Sequence, residues 1–231
     1  MLAGVLSPPF TNLKTMHLLF DLDGTLTDPK QGILGCIRHA LQALDIEIDP
    51  DTPLEPCIGP PLRDSFRRLC GADSSVERIE AAVSLYRERF STLGLFENRV
   101  YDGIPQCLQA LRASVDTLHL ATSKPAVYAH RIVEHFGLEQ HLDGVYGSEL
   151  DGRLGDKTEL IKHIVECENL QLEKTVMIGD RSFDVIGARN NRVLAIGALW
   201  GYGTADELRQ AGADYLCASP RELPDLLFRV C

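Results

Sequence analysis

The chain has 231 residues, enough for one large domain or for one domain with a small appendage, and long enough to bury a full hydrophobic core. Its 33 acidic and 23 basic residues give a formal net charge of −10, so phosphate backbones and anionic lipid surfaces would repel it. We therefore expect neither nucleic-acid nor membrane binding. Hydrophobic residues make up 45 % and charged residues 24 %, which argues against a disordered or fibrous chain.

The seven cysteines are scattered without a Cys-x-x-Cys pair, and the seven histidines show no metal-ligand spacing. An odd and scattered set of cysteines is typical of a reducing compartment rather than of a disulfide framework or a zinc site. No apolar run reaches the roughly 18 residues that a membrane-spanning helix needs. We expect a cytoplasmic protein.

Residues 1–15 contain one lysine, a Pro-Pro pair and no long apolar core, and they make a poor signal peptide. We predict a loose N-terminal extension there. Because Met16 directly precedes the first strong strand signal, we hypothesise that the native chain starts at Met16 rather than at Met1.

Short apolar runs predict five strands that are covered on both faces, as in a parallel sheet between helices. Segments of helical period separate several of them: Ile104, Leu108 and Leu111 step by three or four residues, and so do the apolar residues that follow Lys157. This alternation over residues 100–231 predicts an α/β fold, a Rossmann-like parallel sheet flanked by helices. The predicted strands are 17–20, 118–121, 144–146, 175–178 and 193–196.

Residues 30–97 interrupt the alternation with two helical faces and two loop signals between them. One face starts at Ile33 and repeats at Ile37 and Leu41, and the other runs from Val76 to Phe90. We therefore predict an α/β core domain of residues 16–29 and 98–231, and an inserted helical cap domain of residues 30–97. A helical detour directly after the first strand suggests a lid over the end of that strand.

Polar and charged side chains follow several predicted strands, at the sheet edge where open α/β folds bind ligands. Each has an ordinary explanation by itself: Asp-x-Asp-Gly can shape a turn, and a lysine at a helix start is usually solvated. Together, the aspartates that follow the first and fourth predicted strands would repel one another unless a hard divalent cation such as Mg²⁺ neutralised their charges. The residues concerned are Asp21, Asp23, Thr122, Ser123, Lys124, Lys157, Asp180 and Asp184.

Four segments resemble the motifs of haloacid-dehalogenase-like phosphatases, in the expected order and spacing. Asp-Leu-Asp-Gly-Thr-Leu-Thr-Asp at residues 21–28 resembles the first motif, and Met-Ile-Gly-Asp-Arg-Ser-Phe-Asp at residues 177–184 resembles the fourth. Residues 120–124 resemble the second motif, and Lys157 fits the third. The insertion at residues 30–97 is similar to the four-helix cap of the phosphoglycolate-phosphatase-like branch.

The resemblance implies that Asp21 is the nucleophile and forms an aspartyl-phosphate. Asp23 would protonate the leaving alkoxide and then take a proton from the attacking water. Mg²⁺ would be held by Asp21, by the backbone carbonyl of Asp23 and by Asp180, with Asp184 one layer further out, orienting a water on the metal. Since dehalogenases of this superfamily lack the second aspartate, Asp23 favours a phosphate ester over a carbon–halogen substrate.

The resemblance also implies the substrate contacts. Thr122 and Lys157 would grip the phosphoryl oxygens, with Ser123 and Lys124 as further substrate-binding residues. Arg63, in the segment 57–63 that looks like the specificity loop of the cap, could clamp a carboxylate or a second phosphate. Alternatively, it is a solvated surface arginine.

The expected activity is that of an Mg²⁺-dependent phosphomonoester hydrolase acting on a small phosphorylated metabolite, as a monomer or homodimer. Phosphoglycolate phosphatases often have proline after the third-motif lysine, whereas Thr158 follows Lys157 here. That departure leaves a 5′-nucleotidase, acting on nucleoside 5′-monophosphates, as the main alternative to a phosphoglycolate phosphatase. A phosphosugar mutase and a non-enzymatic metal- or phosphate-sensing module are weaker alternatives.

Overall fold

A computed structural model of the chain describes residues 15–49, 51–71 and 73–230. The predicted loose extension at residues 1–15, and with it the hypothesis of a start at Met16, falls outside the described residues apart from Thr15. Among the described residues, none of the helices combines the length and the apolar character that crossing a bilayer requires.

Six parallel strands form one sheet, which confirms the α/β fold expected from the sequence. Its strand order is β5-β4-β1-β6-β7-β8, and β2 and β3 pair antiparallel in a separate two-stranded sheet. All five predicted runs are strands of the large sheet, whereas β2, β3 and β8 are too short to show a hydrophobic period. The strands are β1 (His17–Phe20), β2 (Thr27–Asp28), β3 (Arg99–Val100), β4 (Thr117–Pro125), β5 (Gly144–Ser148), β6 (Thr175–Gly179), β7 (Leu194–Ala198) and β8 (Tyr215–Cys217).

Helices flank the large sheet and also build the insertion after β2. Local sequence sets where some of them begin: the Asp156 side chain accepts hydrogen bonds from the backbone N–H groups of Thr158 and Glu159, at 2.8 and 3.1 Å, and so caps α6. The α-helices in the described part are α1 (Lys30–Ala43), α2 (Leu62–Cys70), α3 (Val76–Arg89), α4 (Ile104–Arg112), α5 (Ala126–His135), α6 (Lys157–Glu168), α7 (Ser182–Asn190), α8 (Ala205–Ala211) and α9 (Leu223–Val230).

Strand β1 lies at the centre of the sheet, between β4 and β6. Its four residues are all buried, and Phe20 is in register with Leu120 of β4 and Ile178 of β6. Because all three strands are parallel, the residues that follow them lie at the same edge. This register is what brings the first, second and fourth motifs together.

Residues 30–97, called the helical insertion from here on, contain α1, α2 and α3, of which α1 and α2 each pack on α3. A 3₁₀ turn (Glu55–Cys57) precedes α2, and a π-helical turn (Phe90–Gly94) extends α3. Gly32 of α1 approaches that π-helical turn so closely that a Cβ on it would lie 2.1 Å from the Gly94 carbonyl oxygen. The division into a core domain and a cap domain at residues 30 and 97 stays a prediction.

Candidate active site

Lys157, the first residue of α6, lies beside Asp21, which follows β1. Its ammonium donates hydrogen bonds of 2.8 Å to Asp21 Oδ1 and to the Ala121 carbonyl oxygen, and it lies 2.8 Å from Asp184 Oδ1. Burial by itself lowers the pKa of Lys157, but the carboxylates of Asp184 and Asp21 outweigh it and hold the pKa above its usual value. Lys157 is therefore a buried cation at the junction of three motifs.

Asp21, Asp180 and Asp184 form a buried acidic cluster in which one oxygen from each carboxylate lies within 4.8 Å of the others. Burial raises the pKa of Asp180 well above its ordinary value, and the charges of Asp21 and Asp184 raise it further. Burial also raises the pKa of Asp184, to about 6, although the ammonium of Lys157 opposes the shift. One lysine thus neutralises the cluster only in part.

The Asp180 carboxylate is held in place by groups on two loops. The Thr25 hydroxyl donates to Oδ1 at 3.3 Å, and the backbone N–H of Tyr202 donates to Oδ2 at 2.8 Å. Gly24 has a φ of +92°, and a Cβ there would lie 2.2 Å from Asp180 Oδ2, so both the turn and the space require glycine. Tyr202 was not predicted from the sequence, although its place in the loop after β7, at the same sheet edge, is a signal that could have indicated it.

Asp23 is separate from this cluster and is paired with Lys124. Its Oδ2 lies 2.7 Å from the Lys124 ammonium, while its buried Oδ1 has no hydrogen-bond partner among the described residues. Burial raises the pKa of Asp23, and the charge of Lys124 offsets part of that rise. A buried carboxyl group that lines a cavity and has a raised pKa is suited to proton transfer.

Thr122 and Ser123 lie on the last part of β4, next to the carboxylates. The Thr122 hydroxyl oxygen accepts a hydrogen bond of 3.2 Å from the backbone N–H of Lys124. The Ser123 carbonyl oxygen accepts one of 2.9 Å from the Ser148 hydroxyl. These bonds fix the loop and leave the Thr122 hydroxyl proton free to be donated.

A cavity of about 540 Å³ opens onto these residues and is bounded on its other side by the helical insertion. All of the residues singled out from the sequence line it except Asp180, which is fully buried. The structure therefore brings the nucleophile, acid–base, metal and substrate candidates to one place.

Arg63 lines the cavity too, but it lies in the first turn of α2 rather than in a loop. Its guanidinium makes a two-pronged ion pair with Glu80, at 2.5 Å (Nε–Oε1) and 2.9 Å (Nη2–Oε2). Because Nε and Nη2 both bind the Glu80 carboxylate, Arg63 is less available to bind a substrate anion than expected from the sequence.

The helical insertion adds an aromatic wall to the cavity. The rings of Tyr86 and Phe90 stack with centroids 5.2 Å apart, and Phe90 meets Tyr128 edge-on at 5.4 Å. The Lys124 ammonium lies 4.5 Å from the centre of the Phe90 ring. The sequence pattern places Tyr86 and Phe90 on a helical face, but a periodic face alone does not separate core from cavity.

Arg181 connects the core to the helical insertion. Its Nη1 donates a hydrogen bond of 2.6 Å to the Ile58 carbonyl oxygen, and its Nε donates one of 3.0 Å to Glu207. Arg181 stands inside the fourth motif next to Asp180, which was the signal available in the sequence, but its partner Ile58 is 123 positions away.

Comparison with known proteins places these features in a family. The model of the haloacid dehalogenase-like hydrolases matches residues 18–198. A 5′-nucleotidase of Pseudomonas aeruginosa is 47 % identical over 216 residues, covering 93 % of this chain and 96 % of that protein. The tyrosine-protein kinase PtkA of Mycobacterium tuberculosis is 38 % identical over 189 residues, 82 % of this chain and 64 % of that protein.

Comparison with solved structures also finds phosphatases. The crystal structure of a predicted phosphatase from Clostridium acetobutylicum superposes with a TM-score of 0.87 and is 40 % identical, covering 93 % of this chain and 99 % of that one. Relatives named phosphoglycolate phosphatase are less similar, at 22 % and 26 % identity.

Proposed function

The chain belongs to the haloacid dehalogenase-like hydrolase family and is one of its phosphatases, and from that premise we propose that it hydrolyses nucleoside 5′-monophosphates through an aspartyl-phosphate on Asp21. The observation that carries the mechanism is the convergence of Asp21, Asp180 and Asp184 on one buried point beside Lys157. A carboxylate is a weak nucleophile, so it needs a phosphoryl group that is well positioned and largely neutralised.

The donor set fits Mg²⁺. Hard divalent cations take carboxylate oxygens, and the three oxygens that lie within 4.8 Å of one another come from buried groups whose charges are neutralised only in part by Lys157. Asp21 and Asp180 would hold the ion together with the Asp23 carbonyl oxygen, with Asp184, which is paired with Lys157, one layer further out. When bound, Mg²⁺ would supply positive charge to the phosphoryl group and to the acids around it.

The residues of the chain would then divide the reaction into two displacements. A carboxylate oxygen of Asp21 attacks phosphorus, the ester P–O bond breaks, and the leaving alkoxide takes a proton from the Asp23 carboxyl group. In the second step water attacks the same phosphorus, gives a proton to the Asp23 carboxylate and breaks the bond to Asp21, which releases phosphate. Lys157 and the Thr122 hydroxyl hold the phosphoryl oxygens in both steps.

The cavity supports a nucleotide better than phosphoglycolate. Its volume of about 540 Å³ lies within the range of roughly 300–1,000 Å³ typical of sites for drug-sized ligands, and part of its wall is aromatic. Arg63, the residue that could clamp a substrate carboxylate or a second phosphate, already pairs with Glu80. The relative that is 47 % identical is named a 5′-nucleotidase.

A phosphate-release assay tests the proposal. The panel contains AMP, GMP, CMP, UMP, phosphoglycolate and glucose 1-phosphate, each with Mg²⁺ and with EDTA, for the wild type and for Asp21→Asn. We expect turnover of the nucleotides that depends on Mg²⁺ and on Asp21. Equal activity in all conditions would overturn the mechanism, and faster turnover of phosphoglycolate than of any nucleotide would overturn the substrate class. Conversion of glucose 1-phosphate to its 6-phosphate isomer would indicate a mutase.

A further inference from the structure

Phe183 is a large aromatic side chain that stays 45 % exposed although it stands inside the fourth motif. It lies in the first turn of α7, between Ser182 and Asp184, and it lines the same cavity as Asp21 and Lys157. A single exposed aromatic residue is ordinary on a protein surface. An exposed ring in the wall of a catalytic cavity is different, because a ligand in that cavity can cover it.

The segment of the helical insertion that begins at Ile58 contacts the start of α7. Arg181 donates to the Ile58 carbonyl oxygen at 2.6 Å, and a Cβ on Gly59 would lie 3.0 Å from Arg181 Nη1. Pro60, Pro61 and Leu62 come next in the chain, and all three line the cavity. The cavity is thus bounded by an aromatic ring on the core side and by rigid apolar residues on the side of the helical insertion.

The phosphoryl group needs only the polar end of the cavity, where Thr122, Lys157 and Asp23 converge. The rest of the wall exposes mostly apolar surface, and the four arginines that also line it each have a partner within the protein. A flat or apolar leaving group therefore suits this volume better than a second anion. A nucleobase has a π-face that stacks on an aromatic side chain whatever the base.

We propose that Phe183 is a specificity-determining residue whose ring stacks on the base of a nucleoside 5′-monophosphate in the cavity that it shares with residues 60–62. This inference rests on the proposed function, since it names the part of the site that selects the nucleoside. The energy of stacking depends on the base and not on the phosphate, so its loss affects only substrates that carry a base.

Steady-state kinetics with AMP and with ribose 5-phosphate, which has the same phosphorylated sugar without the base, test the proposal. For Phe183→Ala we expect kcat/KM for AMP to fall about tenfold, mainly through KM, with less than a twofold change for ribose 5-phosphate. Phe183→Tyr, which keeps the ring, should restore most of the AMP activity.

Two matched controls separate stacking from general damage. Phe228→Ala removes a more exposed phenylalanine, 61 % accessible on α9, that does not line the cavity. Ile186→Ala removes a residue on α7 that is as exposed as Phe183 and also does not line the cavity. Both should keep wild-type kinetics with both substrates.

The outcomes separate this inference from the proposed function. An unchanged kcat/KM for AMP in Phe183→Ala, or an equal loss on both substrates, overturns the stacking role while leaving the nucleotide phosphatase intact. A wild type that hydrolyses ribose 5-phosphate as well as AMP also overturns the stacking role alone. A wild type that hydrolyses neither these two substrates nor GMP, CMP and UMP overturns both.

Discussion

Lys157 and Asp21 are 136 positions apart in the chain, yet Lys157 Nζ lies 2.8 Å from Asp21 Oδ1. The same ammonium lies 2.8 Å from Asp184 Oδ1, so one buried cation bridges the proposed nucleophile and the fourth motif. Its position depends on α6, which begins at Lys157 because Asp156 caps it. The charge balance of the whole cluster depends on this contact.

Replacing Lys157 by methionine should lower kcat/KM about 10²- to 10³-fold, because the phosphoryl oxygens lose a preorganised cation in a buried site. Steady-state phosphate release measures the effect. Lys162→Met is the control: this lysine lies on the same helix, its side chain is 68 % exposed, and its ion pair with Glu166 is long, at 3.9 Å. A Lys157→Met enzyme with wild-type kinetics would contradict the proposed role.

Replacing Asp23 by asparagine should separate the two chemical steps. p-Nitrophenolate is a good leaving group that needs no proton, so Asp21 should still be phosphorylated by p-nitrophenyl phosphate, whereas the attacking water lacks its base. Rapid-quench or stopped-flow measurements should show a burst of about one p-nitrophenolate per site followed by slow turnover. With AMP, whose leaving group needs the proton, no burst should appear. Normal steady turnover of both substrates would exclude Asp23 as the acid–base group.

Mg²⁺ should stabilise the fold as well as support turnover. At one hundred times its Kd, an ion that binds only the native state adds about 2.7 kcal/mol to the free energy of unfolding. For a chain of this size that raises Tm by roughly 5–10 °C. Differential scanning calorimetry in EDTA and in Mg²⁺ measures the shift, with NaCl at matched ionic strength as control.

Asp180→Asn should abolish that shift in Tm. Because it replaces an acid whose ionisation is disfavoured by burial and by the charges of Asp21 and Asp184, its Tm in EDTA should equal or exceed that of the wild type. A full Mg²⁺-dependent shift in Asp180→Asn would show that the ion binds elsewhere.

Gly24→Ala tests the crowding around Asp180. A Cβ on Gly24, at φ +92°, would lie 2.2 Å from Asp180 Oδ2, whereas a Cβ on Gly71, at the similar φ of +96°, would meet no atom within 4 Å in the described part of the chain beyond its own neighbours in sequence. Both variants place alanine at a positive φ, which costs about 1–3 kcal/mol, and only Gly24→Ala should also weaken Mg²⁺ binding. Chemical denaturation and Mg²⁺ titration of both variants give the comparison, and equal Mg²⁺ affinities would contradict it.

His119 should make stability depend on pH. It is fully buried on β4, neither ring nitrogen has a hydrogen-bond partner among the described residues, and burial lowers its pKa, with Glu168 and Asp143 opposing. Near and below the ordinary pKa of about 6.5, the unfolded chain binds more protons than the native one, so the free energy of unfolding falls as pH falls.

His119→Leu removes that titration without removing a hydrogen bond. Between pH 7.5 and pH 5.5 the free energy of unfolding of the variant should therefore fall by less than that of the wild type. At pH 7.5 the two free energies of unfolding should differ little. Urea denaturation at both pH values measures the difference between the two proteins. Burial also lowers the pKa of His17, but this residue is present in both proteins, so its contribution cancels in the comparison. Parallel losses in the two proteins would contradict the role assigned to His119.

Local sequence was sufficient where a signal extends over several neighbouring residues. The apolar run His17–Phe20 predicts a strand that is buried on both faces of the sheet, and that strand lies at the centre of the sheet. Strands of two or three residues, such as β2 and β8, carry no such period and were not predicted. The acids after β1 and β6 were found for a related reason, because parallel strands share one functional edge.

The sequence by itself determined the fold class, the family and the residues at the sheet edge. Hydrophobic periods and motifs can be recognised from the order of residues along the chain, without knowledge of contacts in space. Only the tertiary structure decided which charges neutralise one another: Lys124 with Asp23, Arg63 with Glu80, and Tyr202 N–H with Asp180. It also decided that Phe183 lines the cavity. The reason is physical, since Coulomb and hydrogen-bond energies depend on distances of a few ångström in space, and these pairs join segments separated by up to about a hundred residues of chain.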